Sequence, residues 1–223
     1  MDYDQKCAQR LTDLLVKNPR SPDAGVWMND LLSEFQRGYP LLNLRPLLLH
    51  EDPDVAAGGA WIASELGAQG RPLLDIVSRL LQHSDRRVRF NALDCVLLWT
   101  DTARGPELCE AVRLLDDSDP AVRWKAMDFL SRASEDQLQA ALADLRRERP
   151  QSGHNPALAW LLTAGKDPQQ VISSLSSPDP LLRKYGAVAA ARLPGDRRKP
   201  LSLAAASQDP DVKRFAESSM RLG

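Results

Sequence analysis

A short phrase recurs along the chain at a nearly constant interval, and this interval restricts the fold more than any other feature. The phrase is an Asp, often followed by Pro, then an aliphatic residue and usually a base. Its aliphatic anchors Val55, Val88 and Val122 are 33 and 34 residues apart, and Leu182 and Val212 are 30 apart. An interval of this size is typical of arrays in which each structural unit packs on its neighbours.

Two weaker copies of the phrase complete the series. The interval from Val122 to Leu182 is 60 residues, two periods long, and Asn155–Leu158 fills it with Asn-Pro-Ala-Leu. Pro22–Val26 supplies another copy near the amino end. The sequence therefore predicts seven units.

Each phrase has the composition of a helix start. An Asp or Asn side chain caps the free N–H groups of a first helical turn, and Pro in the first helical position loses no hydrogen bond. Apolar residues follow at helical spacing, as in Val122, Ala126, Phe129 and Leu130. Another short apolar stretch precedes each phrase, so each unit is expected to contain two helices.

The sequence thus predicts an all-α fold. Leu, Ala and Arg are abundant and β-branched residues are few, which also favours helices over strands. First helices are predicted near 3–17, 40–49, 71–82, 105–115, 135–148, 168–175 and 197–206. Second helices are predicted near 23–37, 53–66, 86–99, 120–132, 156–164, 180–192 and 210–221.

Two helices per unit, a tight polar turn and a period near 30 residues resemble HEAT repeats, particularly the short HEAT-like repeats of phycobilin lyases. The resemblance covers nearly the whole chain. It implies a right-handed α-solenoid of about seven helical hairpins in a single domain, 1–223. An irregularity is expected at 146–155, where a charge run is followed by Pro150 and Gly153. The resemblance indicates a fold and not a function, because this scaffold hosts unrelated activities.

Composition excludes several classes of function. The formal net charge is −1, which gives no electrostatic reason to expect nucleic acid or an anionic membrane. Cys7, Cys95 and Cys109 form an odd set without a CxxC pair, which favours free thiols in a reducing compartment. Residues 1–20 lack a continuous apolar run, so neither a signal peptide nor a membrane span is expected. We therefore predict a cytoplasmic protein.

No catalytic, cofactor or metal site is predicted. The sequence contains no Gly-rich phosphate loop, no GxSxG elbow and no Cys–His pair at nucleophile spacing. His50 and His83 occupy matching places just before two caps, and His154 falls in the irregular segment. Without His-x3-His or a Cys/His cluster, all three are interpreted as turn histidines.

Bases follow the aliphatic anchors at Arg89, Arg123, Arg183 and Lys213, four residues after each capping Asp. Because opposite charges at this spacing are explained by capping and pairing, they are interpreted as a ladder between turns, as in HEAT-like repeats, and not as a basic binding stripe. Further cations near the carboxyl end are assigned to the same ladder or to solvated turns; they include Lys184, Arg192, Arg197, Arg198, Lys199 and Arg214.

The side of the second helices opposite the apolar stripe holds the candidate binding residues. With the anchor as zero and 100° per residue, the core stripe falls at anchor, +4, +7, +8 and +11, whereas +2 and +6 face away. Position +2 is aromatic in three consecutive units, and position +6 adds one aromatic and two carboxylates. We call the following set the predicted binding face: Trp61, Phe90, Asp94, Trp124, Asp128 and Trp160.

Two interpretations of this face remain open. Large exposed aromatics are typical of binding sites, and second helices line the concave surface in HEAT-like arrays. A rotation of the helices by one residue would instead bury these aromatics against the neighbouring first helices. Both interpretations keep the same fold.

Three functions are compatible with the sequence. The first is a non-enzymatic protein-binding scaffold, since small stand-alone HEAT-like proteins of bacteria resemble adaptors, regulators or toxin-immunity proteins. The second is an alkylpurine DNA glycosylase built from HEAT-like repeats, because that family uses Trp and Asp on its concave face and Trp124 and Asp128 form a Trp-x3-Asp arrangement. The near-neutral charge departs from that family. The third is a bilin-lyase-like protein, which rests on the repeat type alone.

Overall fold

The computed structural model describes residues 4–195 and 197–221. Within those residues the regular structure is helical throughout, so the all-α prediction is confirmed. The chain divides into two compact units, unit 1 up to Thr100 and unit 2 from Asp101. Over the described ranges no helix is both long and apolar enough to cross a membrane.

Unit 1 contains three packed helix pairs, α1 with α2, α3 with α4, and α5 with α6. Its second helices also pack in chain order, α2 against α4 and α4 against α6. The helices are α1 (Gln5–Lys17), α2 (Ala24–Gln36), α3 (Arg45–Leu48), α4 (Pro53–Glu65), α5 (Val77–Leu81) and α6 (Arg86–Trp99). Residue 3, where the first helix is predicted to begin, lies outside the described residues.

Unit 2 contains four helix pairs. Its helices are α7 (Gly105–Arg113), α8 (Pro120–Arg132), α9 (Glu135–Glu148), α10 (His154–Thr163), α11 (Pro168–Leu175), α12 (Pro180–Arg192), α13 (Arg198–Ala205) and α14 (Pro210–Arg221). Most of the predicted helices thus exist within a few residues of their expected places; the first helices predicted near 40–49 and 71–82 are α-helical only over Arg45–Leu48 and Val77–Leu81. The arrangement of all pairs in one right-handed solenoid stays a prediction.

The recurring Asp residues cap helices as predicted. Each carboxylate accepts a hydrogen bond from the backbone N–H two residues later, at donor–acceptor distances of 2.7 to 3.1 Å. These five caps are Asp52, Asp85, Asp119, Asp179 and Asp209. A cap of this kind stabilises a helix by about 1 kcal/mol, which explains why the phrase defines the helix starts so sharply.

Two residues before each cap, a side chain accepts a hydrogen bond from the backbone N–H of the capping Asp. His50 and His83 use Nδ1 for this, both at 3.0 Å, so their interpretation as turn histidines is confirmed. Asp117, Ser177 and Ser207 do the same with side-chain oxygens in unit 2. Each of these five turns is therefore closed by two side-chain acceptors, the capping Asp and the residue two positions before it.

The weaker copies of the phrase do not form the same cap. Helix α10 begins at His154, so Asn155 lies inside its first turn, and its Nδ2 donates back to the carbonyls of Arg149 and Pro150. Asp23 precedes α2 without a side-chain capping hydrogen bond. Asn155 as a cap is therefore a wrong prediction, since its amide closes the preceding turn instead.

The first helix of the third unit, predicted near 71–82, also differs from its prediction. A 3-10 segment, Gly67–Ile76, replaces most of the expected α-helix, and Pro72 lies inside it. Gly67 has a positive φ of 54°, and a Cβ at Gly70 would overlap the indole of Trp99. Trp99 Nε1 donates to the Gly67 carbonyl at 2.7 Å. A buried Trp from the next helix is thus accommodated by glycine backbone.

The predicted core stripe is buried throughout on α4, α6 and α8, whereas Leu182 of α12 is half-buried and Met220 of α14 is exposed. On α8 the five stripe positions are all buried, and they are Val122, Ala126, Phe129, Leu130 and Ala133. Helix α12 is more enclosed, because Tyr185–Ala190 is buried without interruption. Its small residues allow close approach on every side, and a Cβ at Gly186 would overlap Ser174.

Helix α12 is enclosed because the second helices of unit 2 gather around it. It packs against α8, α10 and α14, and α8 also packs against α14. A regular succession would place each second helix mainly beside its nearest neighbours in the chain. In unit 2 the second helix of the fourth pair, α8, instead contacts α12 and α14, which are the second helices of the sixth and seventh pairs.

Candidate functional site

All six residues of the predicted binding face are half-buried. On α6 and α8 the positions +2 and +6 lie opposite the fully buried stripe, so the direction assigned from the sequence agrees with the structure. The face is neither freely exposed nor part of the core. It is a set of side chains whose edges reach the surface.

Unit 1 brings three members of the face onto adjacent helices. Trp61 lies on α4, and Phe90 and Asp94 lie one turn apart on α6. Helices α4 and α6 pack against each other along their length. Unit 1 therefore presents an aromatic–carboxylate patch on two neighbouring helices.

In unit 2, Trp124 and Asp128 lie one turn apart on α8. Asp128 accepts from Lys125 Nζ and from Arg132 Nη1, each at 3.3 Å, and its side chain is 17% exposed. Lys125 Nζ also lies 6.0 Å from the centre of the Trp124 ring, within the range of a cation–π contact. The carboxylate is thus neutralised by two cations of its own helix.

Trp160 lies on α10, which packs extensively against α9 and α12. Helix α8 packs against α12, α14 and the short 3-10 segment Leu114–Asp116. Trp124 and Trp160 therefore belong to helices that both meet α12. The repeat register, which treats them as successive neighbours, does not describe this packing.

The bases after the anchors bind their own turns. Arg89, Arg123 and Arg183 each use Nη1 to donate to two carbonyls five and six residues earlier, at 2.7 to 3.1 Å. Arg183 Nη2 also pairs with Asp209, the cap of the following unit, at 3.1 Å. The ladder interpretation holds for this pair, and the arginines additionally fasten each turn.

Arg123 forms its ion pair with a residue far along the chain. Its Nε and Nη2 bind Asp211 Oδ2 and Oδ1 at 2.7 and 3.0 Å, and Lys184 Nζ lies 3.3 Å from the same carboxylate. Burial raises the pKa of the Asp211 carboxyl, but the two cations outweigh burial and the net pKa is below its ordinary value. This cluster ties α8, α12 and α14 together.

Unit 1 has a corresponding carboxylate at Asp54. It pairs with Arg20 from the turn before α2 and with Arg87 at the start of α6, the latter at 2.7 Å. Hydrogen bonds from Arg87 and Arg20 lower the pKa of the Asp54 carboxyl. The ladder in unit 1 thus uses Arg87, two residues before the base that the repeat pattern selected.

The sequence reasoning misses one chain of polar contacts, which runs from the buried Tyr185 and His154 to Asp116 at the surface. His154 is buried, and its Nδ1 lies 3.2 Å from the Tyr185 hydroxyl while its Nε2 lies 2.9 Å from Asp116 Oδ2. Because a carboxylate only accepts, Nε2–H donates to Asp116, and in the neutral imidazole Nδ1 then accepts from the hydroxyl. The assignment of His154 to a turn is therefore wrong. The three residues are 31 and 38 positions apart, so no local signal reveals their contact.

Cys95 on α6 and Cys109 on α7 are buried, whereas Cys7 on α1 is half-buried. Burial raises the pKa of Cys95, with a smaller contribution from Asp94, and burial raises the pKa of Cys109 to about 11. Neither environment activates a thiolate, since both suppress its formation at neutral pH.

No family model matches the chain, and no curated protein matches it. Among solved structures, the chain is similar to an engineered protein determined by the Northeast Structural Genomics Consortium. That similarity has 16% sequence identity and a TM-score of 0.44, and it covers 81% of this chain and 77% of the other. A similarity at this level supports no conclusion about function.

Proposed function

We propose that the protein is a non-enzymatic scaffold of the HEAT-like type that binds a protein partner through the predicted binding face. The observation that carries the proposal is the half-burial of Trp61, Phe90 and Trp124 on the less buried sides of their helices. Aromatic side chains held partly buried lose little conformational entropy when they become interface anchors. An adaptor, a regulator or a toxin-immunity protein in the cytoplasm would fit this description.

A carboxylate stands beside an aromatic on both α6 and α8, and on α8 that carboxylate, Asp128, is already paired with Lys125 and Arg132. Asp94 and Asp128 each lie one turn after an aromatic, so the same pair of groups occurs on α6 in unit 1 and on α8 in unit 2. Packed helices hold both pairs in place before binding. Such preorganisation reduces the ordering cost of association.

A glycosylase of HEAT-like type is the second candidate, and it rests on Trp124 and Asp128. Its mechanism requires a carboxylate that stabilises a developing cation. Asp128 is already paired with Lys125 and Arg132, which reduces the field it can offer to a substrate. The bilin-lyase-like alternative has no residue-level support.

The test uses Phe90→Ala and Trp124→Ala, one variant in each unit. Proteins retained by the immobilised chain from a lysate of its host are identified and purified, and their affinity is measured by calorimetry. We expect each variant to weaken binding by about 2 kcal/mol or more, as truncation of an interface anchor does, while remaining folded by circular dichroism.

Trp27→Ala is the matched control, because Trp27 is also half-buried but lies one position after its anchor, outside the binding face. It should leave the affinity unchanged. Equal loss of affinity in the control and in both variants would overturn the proposed face. Excision of methylated purines from DNA, abolished by Asp128→Asn, would establish the glycosylase instead.

A further inference from the structure

Arg192 is an unusual cation in unit 2. It ends α12, is only partly exposed, and uses Nη1 to donate to the carbonyls of Leu130, Ser131 and Ala133 at 2.7 to 3.2 Å. These bonds cap the carboxyl end of α8, where the helix dipole favours a positive charge. Its other nitrogens, Nε and Nη2, make no hydrogen bond to any residue within 4–195 and 197–221.

Two other partly buried arginines of unit 2 each form an ion pair with a carboxylate. Arg123 binds Asp211 through two nitrogens, and Arg183 binds Asp209. Arg192 forms no ion pair with a carboxylate of the described chain, and burial lowers the pKa of its guanidinium despite the nearby Glu135. Three carbonyls offset its charge only in part, so an added anion would be stabilised here.

A cavity of about 300 Å³ adjoins this guanidinium. Apolar side chains of Leu138, Leu161 and Leu162 line it together with Arg192. Its charged edge is formed by Lys166 and Glu135, which pair at 2.6 Å and are both about half exposed. The cavity therefore combines an apolar lining with two cations and one anion.

We propose that this cavity is a binding site for a small amphipathic monocarboxylate. The carboxylate accepts hydrogen bonds from Arg192 and Lys166, and the aliphatic part packs on the three leucines. At about 30 Å³ for each water-sized group, the cavity holds on the order of ten non-hydrogen atoms. Small-molecule sites have this character, a mainly apolar lining with a few polar groups that fix orientation.

Octanoate, with ten non-hydrogen atoms, is the probe, and calorimetry on the full chain is the measurement. We expect saturable binding at one site with a Kd below about 1 mM. Octanamide has the same shape without the charge and should bind at least about tenfold more weakly, because hydrogen bonds to charged groups are the stronger ones. Equal binding of the two compounds, or no binding of octanoate, would overturn the proposal.

The charged edge of the cavity can be changed by variants that leave the core intact. Lys166→Gln should weaken octanoate binding roughly threefold, whereas Glu135→Gln should strengthen it by a similar factor, since it removes the competing anion. Lys199→Gln, an exposed lysine that does not line the cavity, is the control and should change nothing. If Glu135→Gln weakened binding, the charge argument would be wrong.

The position of the ligand needs a separate variant, because Arg192→Gln also removes the cap of α8 and endangers the fold. Leu162→Trp adds volume at a half-buried position of the lining. It should reduce octanoate binding at least about tenfold while circular dichroism stays unchanged. Unchanged affinity in Leu162→Trp would place octanoate elsewhere and refute this site.

Discussion

Replacing Asp211 by Asn tests the long-range packing of unit 2. The substitution keeps the shape of the side chain but removes the charge that Arg123 and Lys184 share. Asp211 is 8% exposed, and the side chains of Arg123 and Lys184 are 21% and 13% exposed. Solvent therefore replaces little of the lost interaction.

The expected cost follows from this burial. Removing one partner of a buried ion pair destabilises a protein by about 3–5 kcal/mol, because the remaining charges stay desolvated. The Asn carbonyl still accepts one hydrogen bond, so we expect a loss near the lower end, about 3 kcal/mol. For a chain of this length that corresponds to a fall in Tm of roughly 10 °C.

Urea denaturation followed by circular dichroism measures the loss, and Glu135→Gln is the matched control. The Glu135–Lys166 pair is solvent-exposed, so its removal should change the free energy of unfolding by less than about 1 kcal/mol. A double-mutant cycle with Arg123→Gln should give a coupling of about 1–3 kcal/mol. Zero coupling would refute the contact between α8 and α14.

Two further predictions concern buried polar groups. The pKa of Asp211 is lower in the folded protein than in the unfolded chain. The stabilising effect of this carboxylate is therefore complete above the unfolded pKa of about 4 and is lost as the pH falls through the folded value. Urea unfolding at pH 7, 4 and 3 should show this loss of stability, and the Asp211→Asn variant should show a weaker dependence of stability on pH. Tyr185→Phe leaves Nδ1 of the buried His154 without its partner and should cost about 1–3 kcal/mol in the free energy of unfolding. A cost below about 0.5 kcal/mol would mean that water replaces the hydroxyl.

The parts of the fold that the sequence predicts are those decided by local chemistry. An Asp followed by Pro specifies a helix start within two residues, and the apolar stripe after it fixes the buried side. Helices α11 and α12, which start with Asp-Pro, therefore begin and end where expected. The prediction fails at Gly67–Ile76, because the backbone there adapts to the indole of Trp99, which lies about thirty residues later in the chain.

The candidate site is less predictable for the same reason. Periodicity gives the direction of a side chain on its own helix, and the half-burial of Phe90 and Trp124 agrees with that direction. Periodicity does not show which other helix packs against that side chain. The pairing of Arg123 with Asp211 depends on α8 meeting α14, and no residue near either position indicates it.

The difference in packing between the two units bears on how a partner could be bound. In unit 1 the second helices follow one another, so Trp61, Phe90 and Asp94 lie on adjoining helices and can act as one patch. In unit 2 the second helices gather around α12, which removes much of their surface from solvent. Interface energy concentrates in compact clusters of anchors rather than in extended rows. For the proposed function, the patch on α4 and α6 is therefore the stronger candidate for the centre of an interface.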